Sequence, residues 1–99
     1  MIDILDNLDR AFENRIRLVI MSSLVARPSL NFRDLKALIG ATDGNLATHL
    51  KSLERVGYIG VRKSFVKRKP NTQYSATKLG LRAFRKHVSA LEKIISSGR

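Results

Sequence analysis

Two histidines and eight carboxylates are the groups here that could move a proton or hold a metal ion, and their spacing suits neither task. His49 and His87 lie far apart, no His-x-x-x-His pair occurs, and the 99-residue chain contains no cysteine. Thiolate nucleophiles, disulfides and the usual zinc-ligand spacings are thereby excluded. Paired carboxylates, a nucleophile elbow and a phosphate-cradling glycine loop are equally missing from the pattern. Asp34, Asp43 and Glu54 suit helix starts and ion pairs with neighbouring bases. The expectation is a protein that is not an enzyme and needs no cofactor or metal. What remains is recognition by hydrogen bonds and charge. Two stretches carry it: Thr42, Gly44, Asn45, Thr48, His49, Lys51, Ser52 and Arg55, and then Arg62, Lys63, Lys67, Arg68 and Lys69.

Charge says what such groups would recognise. Lysine and arginine number 19 against 8 acids, a net of +11. Residues 1–13 are acidic, with a net of −3, so the remainder carries +14. A compact domain with that excess repels itself unless its partner is a polyanion. Duplex nucleic acid fits first. An anionic membrane surface fits less well, because the basic residues interleave with a folded pattern and the apolar stripes are needed for a core. The N-terminus, MIDILDNLDR, lacks the basic start of a secretion signal, and the longest apolar stretch, around Leu18–Met21, is too short to span a bilayer. These features predict a soluble, cytoplasmic, nucleoid-associated protein of prokaryotic type.

Local patterning places the two stretches on elements. Residues 3–12 carry Ile4, Leu5, Leu8 and Phe12 at helical spacing, with Glu13-Asn14 able to continue or break that helix. Residues 15–26 read as a second helix, with Ile16, Val19, Ile20 and Leu24 inward and Pro28 beyond its end. Ser29-Leu30-Asn31 reads as an extended link, Asn31 as the cap of a helix over 32–39, and Gly40 as its left-handed terminus. Thr42 caps the next helix, about 43–56, ended by Gly57. Residues 58–65 alternate as a strand with Ile59, Val61 and Phe65 on one side; 66–72 reads as a basic loop; 73–76 as a second strand with Tyr74 inward. Thr77 caps a last helix to about Ser96. Two helices joined by a tight turn, followed by a basic hairpin, form a helix-turn-helix with a wing. The predicted fold is thus mainly α with a small β-hairpin wing, one domain over 1–99 with its core at 14–77, flanked by terminal helices at about 3–12 and 77–96.

On the helix after the turn, Leu46, Leu50 and Leu53 share the core side. The opposite face begins slim, with Gly44, Asn45 and Thr48, so its backbone could approach base edges. Asparagine can pair bidentately with adenine, and Ser or Thr with several bases. Lys51 and Arg55, further along, suit phosphates. A merely solvated helix would expose the same residue types; its place between a tight turn and a basic hairpin favours the groove-reading role. The wing segment contains no acid, which favours contact with phosphates or a minor groove over simple solvation. In the last helix, Leu81, Phe84, Val88, Leu91 and Ile95 recur at spacings of 3, 4, 3 and 4. With Leu5 and Leu8 of the N-terminal helix they form stripes suited to a two-fold dimer, although so short a seam could also pack on its own domain. The acidic N-terminal segment could then pair with Lys78, Arg82 or Arg85. His87 is expected in or near that seam.

The run FRDLKALIGATDGNLATHLKSLERVGYI, then RKPNTQYSATKLG, resembles the MarR/ArsR-like winged-helix transcriptional regulators. It is most similar to the short single-domain group whose reading helix opens with TDGNL. The upstream NRIRLVIMSSL resembles that group's first core helix, and the likeness covers about residues 12–95. It implies a homodimer built from the terminal helices and DNA contacts from the start of the reading helix and from the wing. Ala47 departs from the pattern, in which serine is common, so one contact is in question. Metal sensing, which uses cysteine in that family, does not carry over, and no polar constellation supports a drug-binding cleft; any small-molecule effector stays unknown. The expected function is a sequence-specific regulator bound as a homodimer to a pseudo-palindromic duplex. A DNA-binding architectural protein of low specificity, or a winged-helix module that holds a protein partner, remain alternatives.

Overall fold

The structure, a computed structural model, describes residues 4–97. Its elements in order are α1 (Ile4–Asn7), a 3-10 turn (Arg10–Phe12), α2 (Arg15–Ala26), β1 (Leu30–Asn31), α3 (Phe32–Ile39), α4 (Asp43–Arg55), β2 (Ile59–Val66), β3 (Lys69–Ala76) and α5 (Lys78–Ser97). Side-chain caps set most boundaries. The Asn14 carboxamide oxygen accepts from the backbone N–H groups of Ile16 and Arg17 at 2.9 and 3.1 Å, which starts α2. Arg27 is fully extended (φ −135°, ψ 150°), as the residue before a proline prefers, and α2 stops there. Asn31 caps α3 through the N–H of Asp34 at 2.7 Å. Thr77 starts α5, accepting from the Gly80 N–H at 2.9 Å while donating to the Gly57 carbonyl at 2.6 Å.

The core is formed by Phe12, Ile20, Met21, Leu24, Leu35, Leu46, Leu50, Leu53 and Ile59. Burying each such side chain is worth about 1.5–3 kcal/mol. The three leucines of α4 therefore determine which side of that helix is left for a ligand. Phe12 also joins the chain's two ends: its ring lies 5.5 Å from Tyr58, 5.3 Å from Phe84 and 5.3 Å from His87, centre to centre.

The N-terminal segment is not the single helix expected over 3–12; residue 3 itself lies outside the described residues. It breaks twice. Asp9 is extended (φ −103°, ψ 123°) and its carboxylate caps the following 3-10 turn through the Ala11 N–H at 2.9 Å. The Asp9 N–H donates to His87 Nδ1 at 3.0 Å and the Tyr58 hydroxyl to the same carboxylate at 2.5 Å. These bonds, to the 3-10 turn, to Tyr58 between α4 and β2, and to α5, outweigh one more turn of helix. The second break is at Asn14, which caps α2. The Asp9 carboxylate thus takes Tyr58 and Ala11 as its partners, not Lys78, Arg82 or Arg85.

Three strands form the sheet, in the order β1-β3-β2, all antiparallel. The expected extended link at Leu30-Asn31 is the third strand, paired with Tyr74 and Gln73. The expected basic loop over 66–72 is instead strand up to a two-residue turn, Lys67-Arg68, both with positive φ (52° and 67°). Backbone pairing thus runs to the tip, which carries Phe65, on the same side as Ile59 and Val61, out past the core, where it is 76% exposed. Val19, expected inward on α2, is 41% exposed, while Met21 and Ser23 are buried, because α2 is covered by several elements and not along one stripe.

Candidate nucleic-acid interface

The helix-turn-helix is built from caps and one ion pair. Gly40 closes α3 in the left-handed conformation (φ 74°), its N–H bonded to the Lys36 carbonyl at 2.8 Å. Two residues later, the Thr42 hydroxyl caps α4 through the Asn45 N–H at 3.2 Å. Lys36 reaches the Asp43 carboxylate at 2.6 Å, fastening α3 to the first turn of α4. Asp43 is thereby occupied at the helix start and partly neutralised where a phosphate would approach.

Gly44, Asn45, Thr48, Lys51 and Arg55 are exposed on α4. Above Gly44 a Cβ would meet nothing within 4 Å, so the backbone there is open to close approach. Ser52 is half-buried and donates to the Thr48 carbonyl at 3.2 Å, which leaves its oxygen free to accept only. His49 is half-buried, with Nδ1 at 3.1 Å from an Arg17 Nη1. A guanidinium only donates, so Nδ1 accepts and the ring proton sits on Nε2. Desolvation first, and the Arg17 charge second, lower the His49 pKa below its usual 6.5. Both effects favour the neutral imidazole.

The hairpin extends beside this helix. Lys63, Val61 and Tyr74 line one side of a cleft whose other side is Ala47, Thr48, Leu50, Lys51 and Glu54 of α4. Arg62, the residue before Lys63, lies on the opposite face of the strand, because side chains alternate. Lys67 and Arg68 form the tip, with Lys69 pairing Val66 just behind it. The five cations are all exposed. They do not make one stripe: Lys63 borders the cleft with α4, Arg62 faces away, and the other three crown the tip.

Residues 16–95 match the family described as winged helix DNA-binding domain. The chain belongs to that family. An uncharacterised protein of Methanocaldococcus jannaschii is 33% identical over 79 residues, which span 80% of this chain and 86% of that one. A solved structure described as a transcriptional regulator homologue from Pyrococcus horikoshii superposes with a TM-score of 0.85 at 29% identity, covering 95% of this chain and 91% of that one. A MarR-family protein of Porphyromonas gingivalis gives 0.69 at 24% identity over 90% and 82%, a likeness of fold. MarR- and ArsR-family proteins thus stand among the structural neighbours, as the resemblance implied.

Within this winged helix two cations escaped the sequence reading. Arg17 holds the 3-10 turn and α4 together: Nε donates to the Ala11 carbonyl at 2.6 Å and Nη2 to that of Arg10 at 3.4 Å, while Nη1 meets His49. Arg10 and Arg17 line a cleft with Ser52 and Arg55. Arg10 was hidden inside an acidic segment, and Arg17 inside an apolar run; only the fold brings them beside the trailing half of α4.

Of the apolar positions expected at a dimer interface, Leu8, Leu81, Phe84 and Val88 are half-buried within the chain, and Phe84 packs against its core. Leu5, Leu91 and Ile95 are exposed, together with Ile4 and Ile94. Among the described residues no helix is long and apolar enough to cross a membrane.

Proposed function

We propose that this protein is a sequence-specific transcriptional regulator that binds duplex DNA as a homodimer on a pseudo-palindromic site in the cytoplasm. One observation carries the reading. The exposed face of α4, with Gly44, Asn45 and Thr48 leading and Lys51 and Arg55 following, borders a hairpin of five exposed cations without a single acid between Ile59 and Ala76. In this arrangement α4 enters the major groove, with Asn45 and Thr48 toward base edges and Lys51 and Arg55 toward phosphates. The wing lies over the backbone and the neighbouring minor groove. His49 contributes through Nε2–H. The exposed apolar residues of α1 and α5 form the dimer contact, which sets two copies of α4 about one DNA turn apart, ~34–36 Å. The Pyrococcus horikoshii protein, described as a regulator homologue, supports the regulatory role.

The test is selection of bound duplexes from a random pool, followed by footprinting of the enriched sequence across a salt series. A regulator enriches an inverted repeat and loses affinity steeply between about 50 and 200 mM salt. A flat sequence profile with the same salt dependence makes the protein architectural. Weak binding that salt does not change points to a module for protein partners and removes the DNA reading.

A further inference from the structure

The wing tip carries apolar surface that its cations do not account for. In β2, Ile59, Val61, Lys63 and Phe65 point to one face of the sheet, and their register partners on β3 are Ala76, Tyr74, Thr72 and Pro70. The first two pairs lie against the core. The last, Phe65 with Pro70, lies six residues beyond Ile59, about 20 Å along the strand at ~3.3 Å per residue. Both residues are exposed there, Phe65 by 76%, and Val66 beside them by 54%. Around them stand Lys63, Lys67, Arg68 and Lys69.

We propose that Phe65 is a wedge that enters a base step of bound duplex from the minor groove and bends it. The inference rests on the DNA-binding reading above and adds a deformation to it. Charge complementarity selects the occupant. A partner for this tip must be strongly anionic and must also offer flat apolar faces, and the chemistry that joins those properties is stacked bases inside a phosphate backbone. Those faces become available when a minor-groove step is opened, which is what inserted Phe, Leu, Ile, Met or Pro side chains do in DNA-bending proteins. Phe65 lies on the sheet face that borders α4, so a helix seated in the major groove points this face along the same duplex. The tip is also slim enough to enter: backbone pairing continues to Val66 and Lys69, and only two residues make the turn. Pro70 fixes its own backbone directly opposite the ring, which keeps the wedge stiff.

The experiment uses the full chain on a mixed-sequence duplex of about 300 base pairs, roughly two persistence lengths, and reads the bend angle at the bound protein by atomic force microscopy. At about 50 mM salt the wild-type protein bends the duplex by at least ~20°. Phe65→Ala abolishes most of that bend and lowers affinity about tenfold, yet keeps the salt slope, because every cation is intact. Phe65→Trp keeps the bend. Phe65→Lys, which adds a charge, loses it. A 2-aminopurine reporter in the duplex brightens with wild type and not with Phe65→Ala. The residue is exposed, so these variants fold. A wild-type complex with straight DNA, or a Phe65→Ala complex as bent as wild type, overturns the wedge and leaves the DNA-binding reading standing. A Phe65→Ala variant that changes the sedimentation of the free protein but not the bend overturns it in favour of a contact between copies. A wild-type protein that binds no duplex in this salt overturns both readings.

Discussion

His49 shows how a residue on the proposed reading helix is also tied to the chain's beginning. Its Nδ1 accepts from Arg17, whose other two guanidinium nitrogens hold the carbonyls of Ala11 and Arg10. Protonation would set a second positive charge and a second donor against that guanidinium. The lowered pKa, from desolvation and then from Arg17, has a definite consequence for stability. Because the folded value lies below the unfolded 6.5, the unfolded chain binds the proton first. The contribution of neutral His49 is complete above about pH 6.5 and is lost as pH falls through the lowered folded value. His49→Asn keeps an acceptor near Nδ1 but does not titrate. Thermal unfolding from pH 7.5 to 5 should cost the wild type more than the variant, and parallel curves would remove His49 from the account. Asn45 belongs to the opposite kind of position, exposed and without a fold role for its side chain. Asn45→Ala should leave the melting temperature unchanged and relax base preference at one or two positions of the selected site. The loss of discrimination should be about 1–3 kcal/mol there, read by comparing affinities for single-base variants of the duplex. Uniform weakening on every duplex would make Asn45 a backbone contact.

At the scale of elements, the wing turn is where local preference and structure disagree. A two-residue hairpin with positive φ at both central positions is the type I′ geometry that favours Asn-Gly. Here Lys67 and Arg68 adopt it, at a cost of roughly 1–2 kcal/mol for each L residue held left-handed. That strain puts two cations at the point of the wing furthest from the core. Replacing the pair together, Lys67→Asn with Arg68→Gly, should raise stability by at least about 1 kcal/mol, or ~4–8 °C in melting temperature for a domain of this size. The same variant should bind DNA more weakly at every sequence, with a salt slope lower by roughly two. A rise in stability without loss of affinity would take the tip out of the interface. The disagreement also explains what the sequence concealed. With neither Asn nor Gly at 67–68 to mark the turn, and with Pro70-Asn71 just beyond, residues 66–72 read as a loop, so the outward reach of Phe65 was lost. The α3–turn–α4 unit was legible because each boundary had its own chemistry: Asn31 and Thr42 as caps, Gly40 left-handed, three leucines on one side of α4. The two-residue strand β1 was not, since Leu30 and Asn31 have no periodicity of their own and are strands only by pairing with Tyr74 and Gln73. Gly80 gave no sign of its role either. A Cβ there would come within 2.1 Å of the Tyr58 carbonyl oxygen, a contact between segments 22 residues apart that sets how closely α5 approaches.

Across the whole molecule, the two termini divide their apolar side chains between the chain's own core and whatever lies outside it. Phe12 and Phe84 went inward, and with Tyr58 and His87 they bind the N-terminal segment to α5. The heptad spacing of α5 could not reveal this division, because 3-and-4 spacing describes a stripe and not what covers it. The half of the stripe near Lys78 is used within the chain, and the half near Ser97 is left uncovered, with Leu91 and Ile95 exposed beside Ile94. Under the proposed homodimer that outer half is the contact between copies. A glutamate at each of these positions would add like charges to a two-fold surface without disturbing the monomer's core. The double variant Leu91→Glu with Ile95→Glu should therefore sediment as a monomer at concentrations where the wild type is a dimer, with its helix content and melting of the core intact. Its affinity for a full inverted repeat should fall by about 10²–10⁴, the gain that joining two sites ordinarily provides, while affinity for a single half-site stays as it was. Equal loss on half-site and full site would mean that the substitutions damage the reading unit. An unchanged dimer would place the contact elsewhere, on the exposed Ile4 and Leu5 of α1.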